Sequence, residues 1–351
     1  MHPYESLPDH AFWRRSVVGA AEVDPVVAPP FLISQDELIA TAGSCFAQHI
    51  ARHLKRRGFK YFIAEPPHPL LSDDAARDFN YGTYTCRYGN IYTSLQLKQL
   101  LQRAYGEFVP AEPEWQGQDG RWIDPFRPQI QPHGFMSVEE LREDRAQHLE
   151  AVRSMVESMD VFVFTLGLTE CWLSRQDGAV FPVCPGVAGG GFDDSRYVFR
   201  NLSVAAVVAD MEWVLDFLRN ARPSLKVILT VSPVPLMATA AEDRHVLTAT
   251  TYSKSVLRVA AEELSQNDEA LAYFPSFEIV TGPSSRGAYF AADLRSVTET
   301  GVEHVMRSFI RNFAAELPPG AEAPPAGDAY VDTMEAVVQA NCDEEALDWA
   351  G

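Results

Sequence analysis

Three stretches of this sequence place small, nucleophilic or acidic residues directly after an apolar run. Gly43-Ser44-Cys45-Phe46-Ala47 follows residues 38–42, Gly167-Leu168-Thr169-Glu170-Cys171-Trp172 follows residues 161–166, and Ser232-Pro233-Val234-Pro235 follows residues 226–231. Ser44 and Cys45 stand where a helix is expected to begin. There, unpaired backbone N–H groups and the positive end of the helix dipole stabilise a thiolate or an oxyanion. Either side chain is therefore a candidate nucleophile, although the same pair would also serve as a capping serine beside a buried structural thiol. Glu170 and Trp172 are candidate substrate contacts, because a carboxylate at a strand end inside a cleft is placed for acid–base work; structural pairing would use Glu170 equally well. His49 and His53 have the spacing of helical metal ligands. No third ligand accompanies them, so they are expected on an exposed helix face, with no metal. The run of residues 186–191, Gly-Val-Ala-Gly-Gly-Gly, lacks the Lys-Ser/Thr of a phosphate loop and reads as a lid or plain connection.

The elements that must position these residues follow from hydrophobic periodicity. Residues 38–42 read as a buried strand running through a tight turn into a helix over 45–57, with Phe46, Ile50 and Leu54 on one face and Gly58 at its end. Residues 59–64 read as a second strand. Helices are expected over 95–105, 138–159, 204–219, 248–265 and 301–317, and strands over 161–166, 226–231 and 272–274. The unbroken apolarity of 161–166 and 226–231 marks central parallel strands buried on both faces. Five strands alternating with helices imply an α/β protein, a three-layer α/β/α sandwich around a mostly parallel five-stranded sheet. In such sheets ligands bind beyond the strand carboxyl ends, so the three stretches above should converge on one edge. Residues 1–35 read as an N-terminal arm, 36–317 as the α/β domain, and 318–351 as an acidic Pro/Ala-rich tail expected to be solvated or loosely docked.

Composition narrows the partners. The chain of 351 residues carries 29 basic and 48 acidic side chains, a formal charge of −19, which opposes binding to nucleic acid or to an anionic membrane surface. No segment approaches the ~18 unbroken apolar residues of a membrane span, and no signal-peptide core opens the chain, so a soluble cytoplasmic protein is expected. The five cysteines are scattered, Cys342 among them, without a C-x-x-C pair. Reduced thiols follow.

Gly43-Ser44-Cys45-Phe46-Ala47 is also the motif that names the GSCFA-domain family of bacterial proteins, which is related to the SGNH/GDSL hydrolase superfamily. The chain resembles that family over roughly residues 35 to 316, through an ordered set of further motifs. These are Tyr88-Gly89-Asn90-Ile91-Tyr92, Thr165-Leu166-Gly167-Leu168-Thr169-Glu170-Cys171-Trp172, Phe199-Arg200-Asn201-Leu202 and Thr230-Val231-Ser232-Pro233-Val234. The resemblance implies a flavodoxin-like sandwich and ester chemistry on an acyl group. By the SGNH pattern Gly-Asp-Ser, Cys45 holds the nucleophile's position and Ser44 that of the Asp; Ser44 is the nucleophile if the turn shifts by one residue. Gly89 matches the glycine whose N–H helps to bind the oxyanion. Thr169 stands where the SGNH asparagine would be, a change that typically costs about 10² to 10³ in rate, and Asn90 is a possible substitute.

The last block departs most. Asp293-Leu294-Arg295-Ser296 puts a serine where the SGNH pattern Asp-x-x-His has its base, with Gly301 at the expected distance beyond. His245, in a loop after a strand carboxyl end, is the preferred replacement base, ahead of His304 on the last helix. Asp293 would orient the base or pair with Arg295. Two functions are therefore carried forward. The first is an SGNH-like hydrolase or acyltransferase acting on a small-molecule or carbohydrate acyl ester without a cofactor. The alternative is a non-catalytic small-molecule or carbohydrate-binding protein on a degenerate SGNH fold, with oligomeric state open in both.

Overall fold

Residues 161–166 are apolar apart from Thr165 and buried along their whole length, so helices have to cover both faces of the strand they form. A computed structural model describes residues 2–18, 23–117 and 119–316 and bears this out. After a short helix α1 (Trp13–Ser16) the chain enters β1 (Ile39–Gly43) and α2 (Phe46–Arg56). Helices α3 (Asp73–Asp78) and α4 (Ser94–Ala104) follow, then a small hairpin of β2 (Trp115–Gln116) and β3 (Trp122–Ile123). Helix α5 (Val138–Ser158) leads into β4 (Val161–Leu166). Next come β5 (Glu170–Ser174), β6 (Val180–Phe181) and β7 (Tyr197–Asn201), an antiparallel sheet ordered β6-β5-β7. The remaining elements are α6 (Val204–Ala221), β8 (Lys226–Val231), α7 (Val246–Ser265), β9 (Leu271–Phe274), α8 (Ser276–Thr281) and α9 (Glu299–Phe313).

The central sheet is parallel, in the order β1-β4-β8-β9. Alternation along each strand sends side chains to two separate cores. Ala40, Ala42, Phe162, Phe164, Val227 and Leu229 pack with α4, α5, α6 and α7. Ile39, Val161, Val163 and Ile228 pack with α2, α8 and α9. Four of the flanking helices, α4, α5, α6 and α9, begin at Thr93, Ser137, Ser203 and Thr298, each hydroxyl accepting the N–H three residues on.

The sheet has four hydrogen-bonded strands, not the five expected. Residues 59–64 form a single parallel bridge, Tyr61 to Ile39, through Ile39 N to Lys60 O at 3.0 Å and Phe62 N to Ile39 O at 2.8 Å. Beyond it the outer edge of β1 is satisfied by other groups: Thr41 N donates to the Thr85 hydroxyl at 2.9 Å, and Ile91 N donates to Gly43 O at 2.8 Å. Ala64 N has turned away to Thr85 O, and Pro66 and Pro67 can donate nothing to a ladder.

The end of the arm is pinned to α9. Asp24 accepts from Ser308 Oγ at 2.7 Å and from Asn312 Nδ2 at 2.9 Å, and Ile33 bridges Ala314. The acidic tail at 318–351, with Cys342, lies outside the described residues. Among the described residues no helix is long and apolar enough to cross a membrane.

Candidate functional site

The register of the parallel strands brings Gly43 beside Thr165, and this contact decides the residue type. Gly43 has φ +137°, and a Cβ there would lie 2.4 Å from Thr165 O, so the turn out of β1 can be made only by glycine. Ser44 follows, its N–H donating to Thr165 O at 3.2 Å. Its hydroxyl is buried and has no hydrogen-bond partner among the described residues. Ser44 is not the helix cap: Cys45, with helical φ −51° and ψ −29°, is the residue that precedes α2, and no side chain caps that helix. Cys45 is half-buried. The thiol therefore sits at the start of α2, where Ala47 N and Gln48 N already donate to Ser44 O and Cys45 O at 2.8 and 3.1 Å.

The turn after β4 closes over this pair. A Cβ on Gly167 would approach Ser44 Cβ to 2.9 Å and Tyr92 O to 3.1 Å, so a side chain there would crowd the serine. Gly167 N and Leu168 N both donate to Tyr92 O, at 3.1 and 2.9 Å. From the other side α7 grips the same turn, Ser253 Oγ accepting from Thr169 N at 3.1 Å and Lys254 Nζ donating to Gly167 O at 2.7 Å. Lys254 is only 2% exposed. After β8, Ser232 N bonds Leu166 O at 2.9 Å, which draws this third strand end in beside the other two. The result is a small cavity lined by Ser44, Cys45, Tyr92, Gly167, Leu168, Ser232, Val234 and Lys254.

Ser44 and Cys45 thus share one cavity at the strand carboxyl ends, together with residues from all three motif stretches. The other expected site residues lie elsewhere. Gly89 (φ +71°) and Asn90 line a neighbouring cavity with Tyr84, Tyr88, Phe126 and Arg127, and Asn90 Oδ1 accepts from Gln48 Nε2 at 3.0 Å. Thr169 Oγ1 donates to Asn201 Oδ1 at 2.6 Å, tying β5 to β7 rather than facing the thiol. Glu170 accepts from Thr239 Oγ1 at 2.7 Å and Ala240 N at 3.3 Å, so it holds the loop after β8. Trp172 packs its ring against Phe192 and Phe199. The glycine run at 186–191 lies directly on neighbouring side chains: a Cβ on Gly189 would meet Ile123 Cδ1 at 2.6 Å, and one on Gly190 would meet the Trp115 ring at 3.1 Å.

The histidines divide likewise. His245 is exposed, its Nδ1 accepting from Leu247 N at 3.1 Å as the cap of α7, and it is not among the residues lining the cavity. Asp293 is exposed and bound by Ser296, through Oγ at 2.6 Å and N at 2.9 Å, a closed Asx loop with the serine in the histidine's place. His304 is buried against Tyr289 OH at 2.8 Å. The helix face carrying His49 and His53 is not exposed as expected. His53 is 1% exposed, with Glu299 of α9 3.7 Å away, because α9 packs over this face. Among the described residues no group of three or more His, Cys, Asp or Glu side chains could hold a metal ion. Lys254 is the site residue that periodicity alone passed over.

The profile of the GSCFA family matches residues 38–309, from the strand that carries Gly43 to the last helix. The chain belongs to the GSCFA family. No curated protein matches this GSCFA chain in sequence. Among solved structures it is similar to a protein of Parabacteroides merdae assigned by name to the GDSL-like lipases, with 13% identity and a TM-score of 0.33 over 81% of this chain and 98% of that one.

Proposed function

We propose that this GSCFA chain is an SGNH-like enzyme that hydrolyses or transfers the acyl group of an ester, with Cys45 as nucleophile. The observation that carries the reading is the half-buried Cys45 thiol at the start of α2, in a cavity with the unbonded Ser44 hydroxyl at the carboxyl ends of β1, β4 and β8. Cys45 is preferred to Ser44 because the Ser44 hydroxyl is shut away from solvent, whereas an acyl nucleophile has to meet its substrate. In the reaction the thiolate attacks the ester carbonyl, and the N–H of Phe46, the first of α2, receives the developing oxyanion. A thioester forms on Cys45 as the alcohol leaves; water or a second alcohol then takes the acyl group.

The binding-protein reading keeps one specific support, the Asp293–Ser296 pair that stands where the SGNH pattern has its acid–base residues. Turnover of short p-nitrophenyl esters, with mass spectrometry of the acyl adduct, separates the two. The enzyme reading expects an acylated Cys45 peptide, and a Cys45→Ala loss of about 10⁴-fold or more in kcat with the fold retained. Turnover that survives Cys45→Ala, or no turnover and no adduct across a panel of acyl chains, would overturn it.

A further inference from the structure

We propose that the cavity between α4 and β6 binds a small carboxylate on a short hydrocarbon chain, held by the Arg103 guanidinium. The cavity shares no lining residue with the one that holds Cys45, and the proposal is independent of the acyl-transfer reading. Arg103 comes from the last turn of α4, where Gln96, Gln99, Leu100 and Arg103 fall at helical spacing and all line the cavity. It is 9% exposed, and its Nη2 is buried with no hydrogen-bond partner among the described residues.

The other polar side chains of the wall are already used. Gln99 Nε2 donates to Gly178 O and its Oε1 accepts from Val180 N, both at 2.8 Å. Gln96 Nε2 donates to Asn90 O and its Oε1 accepts from Tyr92 N, both at 2.9 Å. Arg127 is held by Asp124 and Asp144, and the Tyr88 hydroxyl by Thr41 O.

Charge points the same way. Arg87, Arg127 and Arg145 pair with Glu65, Asp124 and Asp144 at 2.7 to 3.6 Å, and burial keeps His148 neutral beside Glu65. Arg103 is the cation left over. Burial lowers its pKa, and Asp124 pulls against this through space, but the Asp124 oxygens already accept from Phe126 N, Arg127 and Arg145. A buried guanidinium whose nearby carboxylate is spoken for is costly, and an anion from outside offsets that cost.

The walls select the anion. Arg103 Cζ lies 3.8 Å from the centroid of the Phe126 ring, so the aromatic covers a face of the cation and leaves its N–H edge for an acceptor. That edge matches the two oxygens of a carboxylate. Around it stand Ile91, Leu100, Val180 and Pro182, whose side chains offer no donor. They suit a hydrocarbon chain, whereas a phosphate would bring oxygens that nothing there satisfies.

The test uses the full chain and sodium butyrate, with sodium chloride, sodium phosphate and 1-butanol as comparisons at matched ionic strength. Butyrate should raise the melting temperature of the native protein saturably and give a calorimetric isotherm, and the three comparisons should not. Acetate, two methylenes shorter, should bind about tenfold more weakly. Arg103→Met should lower butyrate affinity by about tenfold or more, and Arg103→Lys should recover only part of it, because an ammonium has no fork. Without butyrate, Arg103→Met should melt no lower than the native protein, since it removes a buried cation.

A native protein that ignores butyrate would overturn the proposal whatever the variants do. So would an equal response to chloride or phosphate, which would make the cavity an unselective anion site. Undiminished binding by Arg103→Met would put butyrate elsewhere, the Cys45 cavity included. An Arg103→Met protein that melts well below the native one without ligand, or fails to fold, would make Arg103 part of the structural network and end the proposal. Ester turnover at Cys45 with no butyrate binding would leave the acyl-transfer reading standing and this one lost.

Discussion

Two regions of this molecule bury charged side chains, one around a set of ion pairs and one against a backbone carbonyl. Behind the Gly89 turn, Arg127 is 3% exposed and bonds Asp124 at 3.0 Å and Asp144 at 2.7 Å. Arg87 bonds the other oxygen of Asp144 at 2.8 Å, Arg145 adds to Asp124 at 3.2 Å, and His148 meets Glu65 at 2.8 Å. Here cations and carboxylates are matched side chain to side chain. At the strand ends, Lys254 is the one residue of a charged type among the described residues that line the cavity, and its ammonium donates to Gly167 O at 2.7 Å. A matched network makes structure: it fastens the aperiodic segments around residues 79–92 and 124–130 to α5, which supplies Asp144, Arg145 and His148. The Lys254 bond instead clamps the Gly167 turn that walls the Cys45 cavity.

The sharpest way to break the contrast is to remove one member of each set. Arg127→Met leaves Asp124 and Asp144 with buried, half-compensated charge and should cost about 3–5 kcal/mol, read from denaturant unfolding. Lys254→Met removes the bond to the Gly167 carbonyl and should cost about 1 kcal/mol or more. Equal losses of stability would place Lys254 with the structural network instead.

Acid should act on the first region before the second. Burial by itself would raise the Asp124 carboxyl, but Arg127, Arg145 and Arg103 around it hold it well below the ordinary carboxylate range. Asp144 is likewise lowered, by Arg127 and Arg87 against the effect of burial. Both groups bind a proton more readily unfolded than folded. The stability they contribute is therefore fully present above the unfolded carboxylate value of about 3.9 and is lost as pH falls below it toward their folded values. Unfolding midpoints measured from pH 6 to pH 3 should drop in the native protein, and by distinctly less in Arg127→Met, where much of the depression is already gone. Parallel slopes would show that the acid-sensitive groups lie elsewhere.

The same contrast explains what the sequence disclosed. The strands β1, β4, β8 and β9 and the helices after them were legible because each is a long or unbroken apolar pattern with a clear start or stop. The convergence of Ser44 and Cys45 with the Gly167 turn and Ser232 followed from the rule for strand carboxyl ends. The antiparallel sheet was not legible, because β5 begins at Glu170, which reads as the end of a loop, and β6 has two residues. The ion-pair network links Glu65 to His148 across 83 positions, a distance that periodicity does not span. Lys254 left a faint trace. It lies three and seven residues before Leu257 and Ala261, on the edge of the buried stripe of α7, where a lysine needs a reason.

The smallest effects belong to two glycines, Gly89 and Gly167, each of which lines a different cavity. At Gly89 the backbone is left-handed, with φ +71°, and an added Cβ meets nothing within 4 Å. Gly89→Ala should therefore cost only the conformational penalty of about 1–2 kcal/mol, visible as a lowered melting temperature. At Gly167 the φ is ordinary, but the new methyl would press on Ser44 Cβ at 2.9 Å and Tyr92 O at 3.1 Å, both walls of the Cys45 cavity. Gly167→Ala should thus slow Cys45 alkylation and ester turnover more than Gly89→Ala does, whatever their order in stability. The two properties separate because one glycine is required by its torsion angle and the other by the space beside the nucleophile. The reverse order in turnover would return the oxyanion role to the Gly89 turn and detach it from the cavity that holds Cys45.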